Sequence, residues 1–184
     1  MRIIAGRLKG RRLAGPTWDG LRPTSDGLRE TLFNVLGPID GARVLDGYAG
    51  TGALGLEALS RGASHVTFIE CEPQADRLIA KNAAACGVAD ACAIIRGDFL
   101  DARRIGEGAY DLVLMDPPYE GVSLERALKS ASEYVADGGR VVLEHGRRVT
   151  PPDAAGRLQR TRTKVAGDSA LSFYSPVAHA ARES

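Results

Sequence analysis

Aromatic residues are few in this chain, one Trp, four Phe and five Tyr among 184 residues, while glycine numbers 22 and alanine is abundant. Small residues of that kind favour tight packing of helices against a sheet. No apolar run approaches the roughly 20 residues that a membrane span needs. The basic opening lacks the apolar segment and cleavage site of a secretory signal, so cytoplasm is the expected compartment. Cysteine is too sparse for a disulfide framework: Cys71, Cys86 and Cys92 are odd in number and follow no metal-ligand spacing, and are expected to be reduced and packed. His65, His145 and His179 stand apart, none placed as the partner of a serine or cysteine nucleophile. Repeats, low-complexity tracts and Pro/Ser-rich linkers are absent as well. What remains has the length of one domain and enough hydrophobic residues, 44%, to bury a full core.

A formal net charge of +1 conceals an uneven distribution. Residues 2–22 carry Arg2, Arg7, Lys9, Arg11, Arg12 and Arg22 against Asp19 alone, and residues 147–164 carry Arg147, Arg148, Arg157, Arg160, Arg162 and Lys164 against Asp153 alone. The stretch between them leans acidic. An asymmetry that occurs twice favours a phosphate-bearing partner over a surface that is merely solvated.

Arg2–Gly6 and Lys9–Leu13 read as two short strands around a tight turn, a basic β-hairpin extension whose Arg7, Lys9, Arg11 and Arg12, with Arg22 after it, are placed to meet the phosphates of a nucleic acid. Thr24 or Ser25 caps a helix with Leu28, Leu32, Val35 and Leu36 on one stripe, and Gly37-Pro38 ends it. From residue 42 short apolar strands alternate with amphipathic helices: 43–46, 66–70, 91–95, 111–115 and 140–144 read as strands. That alternation indicates a parallel sheet covered on both faces, in one α/β domain. Residues 161–165 and 170–174 then alternate around Ala166-Gly167-Asp168, as an antiparallel hairpin on the sheet edge. The division expected is an N-terminal extension over 1–22, a catalytic core over 23–177 and a disordered tail over 178–184.

Asp46-Gly47-Tyr48-Ala49-Gly50-Thr51-Gly52 follows the first strand, on the edge where parallel sheets bind ligands. The glycines let backbone approach a ligand, and Asp46 can accept loop amides or face a cationic group. Glu70, at the end of the second strand with Cys71 beside it, suits two ribose hydroxyls. Asp98 and Phe99 after the third suit an adenine amine and an adenine face. Gly50-Thr51-Gly52-Ala53-Leu54-Gly55 also matches the dinucleotide fingerprint, with Glu70 about 20 residues on. A diphosphate would be repelled by Asp46, whereas S-adenosylmethionine carries a sulfonium and an ammonium and no phosphate. The loop therefore favours the methyl donor over NAD.

Asp116-Pro117-Pro118-Tyr119 follows the fourth strand on the same edge. Pro-Pro can simply stop a strand, but these four residues also solve one chemical problem. An exocyclic base amine is a poor nucleophile because its lone pair is delocalised into the ring. Acceptors at Asp116 and the Pro117 carbonyl, aimed by two fixed φ angles, favour a pyramidal nitrogen. Tyr119 offers a face for a flipped base, and the negative charge of Asp116 opposes the cation that develops on nitrogen. Carbon-5 methylation would require a cysteine near this loop, and there is none. No metal is called for.

In this order the glycine loop, Glu70, Asp98 and Asp-Pro-Pro-Tyr resemble the class I amino-methyltransferases. Arg2-Ile3-Ile4-Ala5-Gly6, Leu21-Arg22-Pro23-Thr24, Arg29-Glu30-Thr31-Leu32-Phe33-Asn34, Leu54 to Gly62 and Lys164-Val165-Ala166-Gly167 resemble the bacterial RsmD family, over residues 2 to about 175. That resemblance implies a Rossmann-like sheet of seven strands and methylation of guanine N2 in 16S ribosomal RNA within a partly assembled small-subunit particle. It also implies S-adenosylmethionine as cofactor; a monomer is the expected state. Contacts to the cofactor are implied at Asp46, Gly47, Tyr48, Ala49, Gly50, Gly52, Glu70, Cys71, Asp98 and Phe99, and a reach to the methionine carboxylate from Thr24 and Arg29. Asp116, Pro117, Pro118 and Tyr119 are implied as base contacts. Gly47 and Tyr48 depart from the larger apolar residue and Phe usual there. The alternatives are an adenine-N6 methyltransferase acting on DNA or RNA, a nicotinamide-dependent oxidoreductase, and an RNA-binding module without catalysis. A DNA enzyme would need a target-recognition insertion for which the chain has no room, and a non-catalytic module would have little use for Asp46, Glu70 and Asp116 together.

Overall fold

The computed structural model describes residues 1–18, 24–101, 110–118 and 121–177. Arg22, Tyr119 and the tail at 178–184 lie outside the described residues. Helix α1 (Asp26–Leu36) begins where Ser25 Oγ accepts the Leu28 N–H and stops at Gly37, whose φ of 70° only glycine adopts cheaply. Strand β1 (Arg43–Gly47) is buried from its second residue onward, as a strand covered on both faces must be. Then follow α2 (Ala53–Ser60), β2 (His65–Glu70), α3 (Pro73–Cys86), β3 (Cys92–Arg96), β4 (Tyr110–Met115), α4 (Leu124–Tyr134) and β5 (Val135–Gly146). The chain closes with β6 (Ala154–Ala155), β7 (Leu158–Ala166) and β8 (Ser169–Pro176).

All these strands form one sheet in the order β3-β2-β1-β4-β5-β8-β7-β6, parallel from β3 to β5 and antiparallel beyond. The order reverses at β1 and β4, so the loops after these two strands flank the crevice where such sheets bind ligands. One apolar cluster joins α1, α2 and α3 to one face, and a second joins α4 to the other. No helix among the described residues is long and apolar enough to cross a membrane.

Three expectations require correction. The sheet has eight strands where seven were expected, because the two-residue β6 adds to the edge of β7. The strand read at 140–144 starts earlier, at Val135, so β5 takes in Asp137-Gly138-Gly139, where Gly138 has φ 76° and the pairing with β4 shifts register between Tyr110 and Leu112. The N-terminal segment is not a strand pair. Among its described residues it has one β-bridge, Arg2 to Arg12, flanked by hydrogen bonds from the Ile3 N–H to the Arg11 carbonyl and from the Leu13 N–H to the Met1 carbonyl. It is held by docking instead: Ile3, Leu8 and Leu13 are buried, and Glu57 of α2 accepts the N–H groups of Ile4 and Ala5 at 2.8 and 3.0 Å. Gly6, at φ 81°, makes that contact possible, since a Cβ there would lie 1.8 Å from the Ser60 carbonyl oxygen.

Candidate active site

Two carboxylates shape the glycine loop. Asp46 is buried at the end of β1, and its Oδ2 accepts the Gly55 N–H at 2.8 Å, which fixes the first turn of α2. Glu70 spans two loops: Oε2 accepts the Gly50 N–H at 2.7 Å and Oε1 the Glu72 N–H at 2.9 Å. Each carboxylate oxygen keeps a second lone pair for a ligand hydroxyl. Between them the backbone turns through positive φ at Tyr48 (62°), Gly50 (55°) and Gly52 (77°). For a tyrosine that conformation is strained, and the strain sits on the ligand edge.

Burial holds the Asp46 carboxyl well above the usual aspartate range; the Gly55 N–H opposes the rise, and the charges of Asp116 and Glu70 add to it. A raised folded-state pKa means that this group favours folding only in acid, and that the benefit is lost as pH rises through the folded value. Asp46→Asn should therefore raise Tm of the ligand-free protein at pH 8, at about 2–4 °C per kcal/mol relieved. The difference from the parent should vanish below about pH 4, the ordinary aspartate range. Thermal scans across pH check this, and a variant less stable than the parent at pH 8 contradicts it.

Phe99 is not the adenine face that its sequence position suggested. It is 1% exposed, lies 5.1 Å from the Tyr48 ring and 5.3 Å from the Tyr134 ring, and its carbonyl accepts the Tyr134 hydroxyl. Gly47 permits this packing, because a Cβ there would come within 2.5 Å of the Phe99 ring. Gly47 and the aromatic trio thus form a wall behind the loop. Burial pushes the Tyr48 hydroxyl pKa up, and its oxygen is buried without a hydrogen-bond partner. Asp98 is exposed at the rim and accepts the Leu100 N–H. Cys71 is exposed, not packed, whereas Cys86 is buried and Cys92 intermediate; all three are free.

Asp116 leaves β4 on the same edge, with Pro117 buried and Pro118 exposed. Thr24 Oγ1 donates to Asp116 Oδ2 at 2.9 Å, so Thr24 supports the acid where a contact to a methionine carboxylate was expected. Arg29 requires a larger correction. Its side chain is 0% exposed and binds Asp26 at 2.5 Å, the Arg2 carbonyl at 2.8 Å and Glu57 at 3.6 Å. It is a structural cation beneath the N-terminal segment. A fifth acid, Glu144, was not singled out from the sequence. One residue past the paired Met115 and Leu143, Asp116 and Glu144 follow on neighbouring strands, and Glu144 is buried with Ser169 Oγ donating to it at 3.1 Å. The signal was present: β1, β2 and β5 each bring an acid to this edge after an apolar run, as does the residue directly after β4.

The profile of the family described as "Conserved hypothetical protein 95" matches residues 1–175. The chain belongs to that family. Its relatives include the ribosomal RNA small subunit methyltransferase D of Escherichia coli K12, 36% identical over 177 residues that cover 95% of this chain and 89% of that protein. The protein of the same name from Haemophilus influenzae is 41% identical over 138 residues, 72% of this chain and 71% of the relative. A solved structure of a hypothetical protein from Thermus thermophilus superimposes with a TM-score of 0.78 at 32% identity, covering 96% of this chain and 99% of that one. At 16% identity a geranyl diphosphate methyltransferase solved with its SAM shares the fold alone, with a TM-score of 0.68 over 81% of this chain and 84% of that one.

Against that family background, the basic residues separate by position. Helix α2 starts at the ligand edge and runs away from it for about 12 Å. The Arg7 N–H meets the Ser60 carbonyl at the far end. Arg11 donates to the Ala85 carbonyl near the end of α3. Arg7, Lys9, Arg11 and Arg12 are all exposed, but the turn carrying Arg7 and Lys9 sits on the edge opposite Asp116. Strand β5, parallel to β4, delivers Arg147 and Arg148 to the ligand edge instead.

Proposed function

We propose that this protein transfers a methyl group from S-adenosylmethionine to the exocyclic N2 of a guanine in 16S ribosomal RNA, within a small-subunit assembly particle. The observation behind the base assignment is two acids at adjoining strand positions, Asp116 directly after β4 and Glu144 in β5, each one residue past the last paired residues Met115 and Leu143. Guanine offers N1–H and N2–H side by side, so it needs adjacent acceptors; adenine offers N–H only at N6, with N1 itself an acceptor. Relatives named as small subunit methyltransferases support the RNA substrate.

The residues suit the methyl donor. Asp46, Glu70 and Asp116 lie close enough for their charges to raise the Asp46 pKa, a burden that a cationic ligand relieves and a diphosphate would worsen. Asp46, Glu70, Asp98 and the backbone from Gly47 to Gly52 would hold the cofactor, with Cys71 at its margin and the unpartnered Tyr48 hydroxyl available to it. When bound, S-adenosylmethionine supplies an electrophilic methyl group that already carries its leaving group. Asp116, steadied by Thr24, accepts an N–H of the amine and keeps its lone pair directed at the methyl carbon. The Pro117 carbonyl is the second acceptor in this reading, and Pro118 and Tyr119 cover the base. As the N–C bond forms the methyl's bond to the donor sulfur would break, leaving a neutral thioether; Asp116 offsets the positive charge on nitrogen, which then gives its proton to solvent water.

Labelled S-adenosylmethionine incubated with free 16S RNA or immature 30S particles, followed by nucleoside analysis, tests the reading. N2-methylguanosine is expected; N6-methyladenosine would replace guanine by adenine. In calorimetry Glu70→Ala should weaken cofactor binding by about 1–3 kcal/mol, and comparable affinity for NAD would remove the cofactor assignment.

A further inference from the structure

Away from the acids, a groove of about 400 Å³ opens on the α4 side of the sheet, between residues 147–151 and strand β7. Its floor is a closed polar chain. His145 Nδ1 lies 3.0 Å from the Gly146 carbonyl, which can only accept, so that nitrogen carries the proton. Nε2 then accepts from Ser172 Oγ at 2.9 Å, and Ser172 accepts from Thr163 Oγ1 at 3.0 Å. Burial lowers the His145 pKa and keeps the ring neutral. The floor is saturated and offers no catalytic group.

The walls differ. Arg147 and Arg160 line the groove together with threonine hydroxyls, and no acid is among its lining residues; Arg162, opposite Phe173, borders it through its backbone and projects from the other face. Arg160 is held by Asp153 and the Pro151 carbonyl. The side chain of Arg147 has no ion pair or hydrogen bond among the described residues, and Arg160 is pre-oriented by the two it has. Val149 and Val165 stand exposed on opposite walls, at 44% and 50%. Forked donors beside hydroxyls suit phosphate oxygens, and exposed valines suit the apolar faces of ribose and base.

Position identifies the occupant. Strands β5 and β7 both end on the ligand edge, and the Arg147 N–H donates to the Asp168 carbonyl in the β7–β8 turn there. The groove mouth is two strands over from Asp116, roughly 10 Å at the usual strand spacing. Thr24 reaches Asp116 from the α1 side, whereas the groove opens on the α4 side, so a strand serving both would cross the sheet edge. We propose that this groove binds the sugar-phosphate backbone of the RNA segment flanking the target nucleotide, with Arg147 and Arg160 as its phosphate contacts. It rests on the reading of the protein as an RNA methyltransferase, and it transfers the main RNA contact from the N-terminal segment to the C-terminal one.

The test uses the full chain carrying Arg147→Ala and Arg160→Ala together, with Arg7→Ala and Lys9→Ala as the comparison pair. RNA affinity is read by fluorescence anisotropy on a 16S RNA fragment across a salt titration. The groove pair should raise Kd about tenfold and flatten the log–log salt slope by roughly 1 to 1.5, the value for two lost single-strand phosphate contacts. The comparison pair should change both less. Cofactor affinity should stay near that of the parent, which shows the fold and the cofactor site intact. Unchanged Kd and slope in the groove pair overturn the proposal. So does normal RNA binding combined with lost binding to assembled particles, which would make the groove a protein contact. If the groove pair weakens RNA binding while the parent methylates no base, the groove stands and the enzymatic reading falls.

Discussion

Asp116→Ala should lower turnover at saturating substrate by about 100-fold or more while leaving cofactor affinity nearly intact. Asp116 acts on the amine, where charge develops, and a preorganised contact of that kind typically contributes this much to the rate. Its support predicts the shape of the result. Because Thr24 donates to Asp116 Oδ2, Thr24→Val should reproduce part of the loss in kcat with little change in cofactor binding, since it misorients the acid without removing it. Methyl transfer and calorimetry on the two variants separate these outcomes. Near-parental turnover in Asp116→Ala would show that the amine is held elsewhere. A Thr24→Val defect confined to cofactor affinity would return Thr24 to the methionine carboxylate.

Glu57→Ala should destabilise the fold by about 3–5 kcal/mol, the usual cost of stripping one partner from a buried charge pair. Glu57 accepts from Ile4, Ala5 and Arg61 and faces Arg29 at 3.6 Å. Both Glu57 and Arg29 side chains are fully enclosed, and Arg29 Nε and Nη1 already lack hydrogen bonds. Removing the acid leaves that guanidinium with Asp26 and one carbonyl, and frees two backbone amides of the N-terminal segment. The segment should undock, so trypsin should cut after Arg7, Lys9 or Arg11 faster than in the parent. Denaturant unfolding gives the energy and limited proteolysis the locus. A loss below about 1 kcal/mol would mean that water replaces Glu57 at little cost, contrary to a sealed site.

Most of the fold was legible because its signals are local. Apolar strands, the Ser25 cap, the Gly37 stop and the β7–β8 turn each depend on residues a few positions apart, and periodicity reports such neighbours directly. The cofactor loop and Asp-Pro-Pro-Tyr were legible for the same reason: short motifs placed at strand ends, where a parallel sheet gathers its ligands. Two-residue β6 was not legible, since two alanines have no period.

Sequence by itself determined the α/β class, the family and the acids at the ends of β1, β2 and β4. Tertiary structure alone decided what those and other residues touch. Phe99 and Arg29 stand in motifs that suggest ligand contact, yet one packs between Tyr48 and Tyr134 and the other is sealed against Glu57, 28 positions away. Glu144 came beside Asp116 through strand register. The basic N-terminal turn went to the far edge because Glu57 and Ser60 captured its backbone there. A side chain's partner is set by which distant segment the core brings against it, and neither composition nor spacing records that encounter.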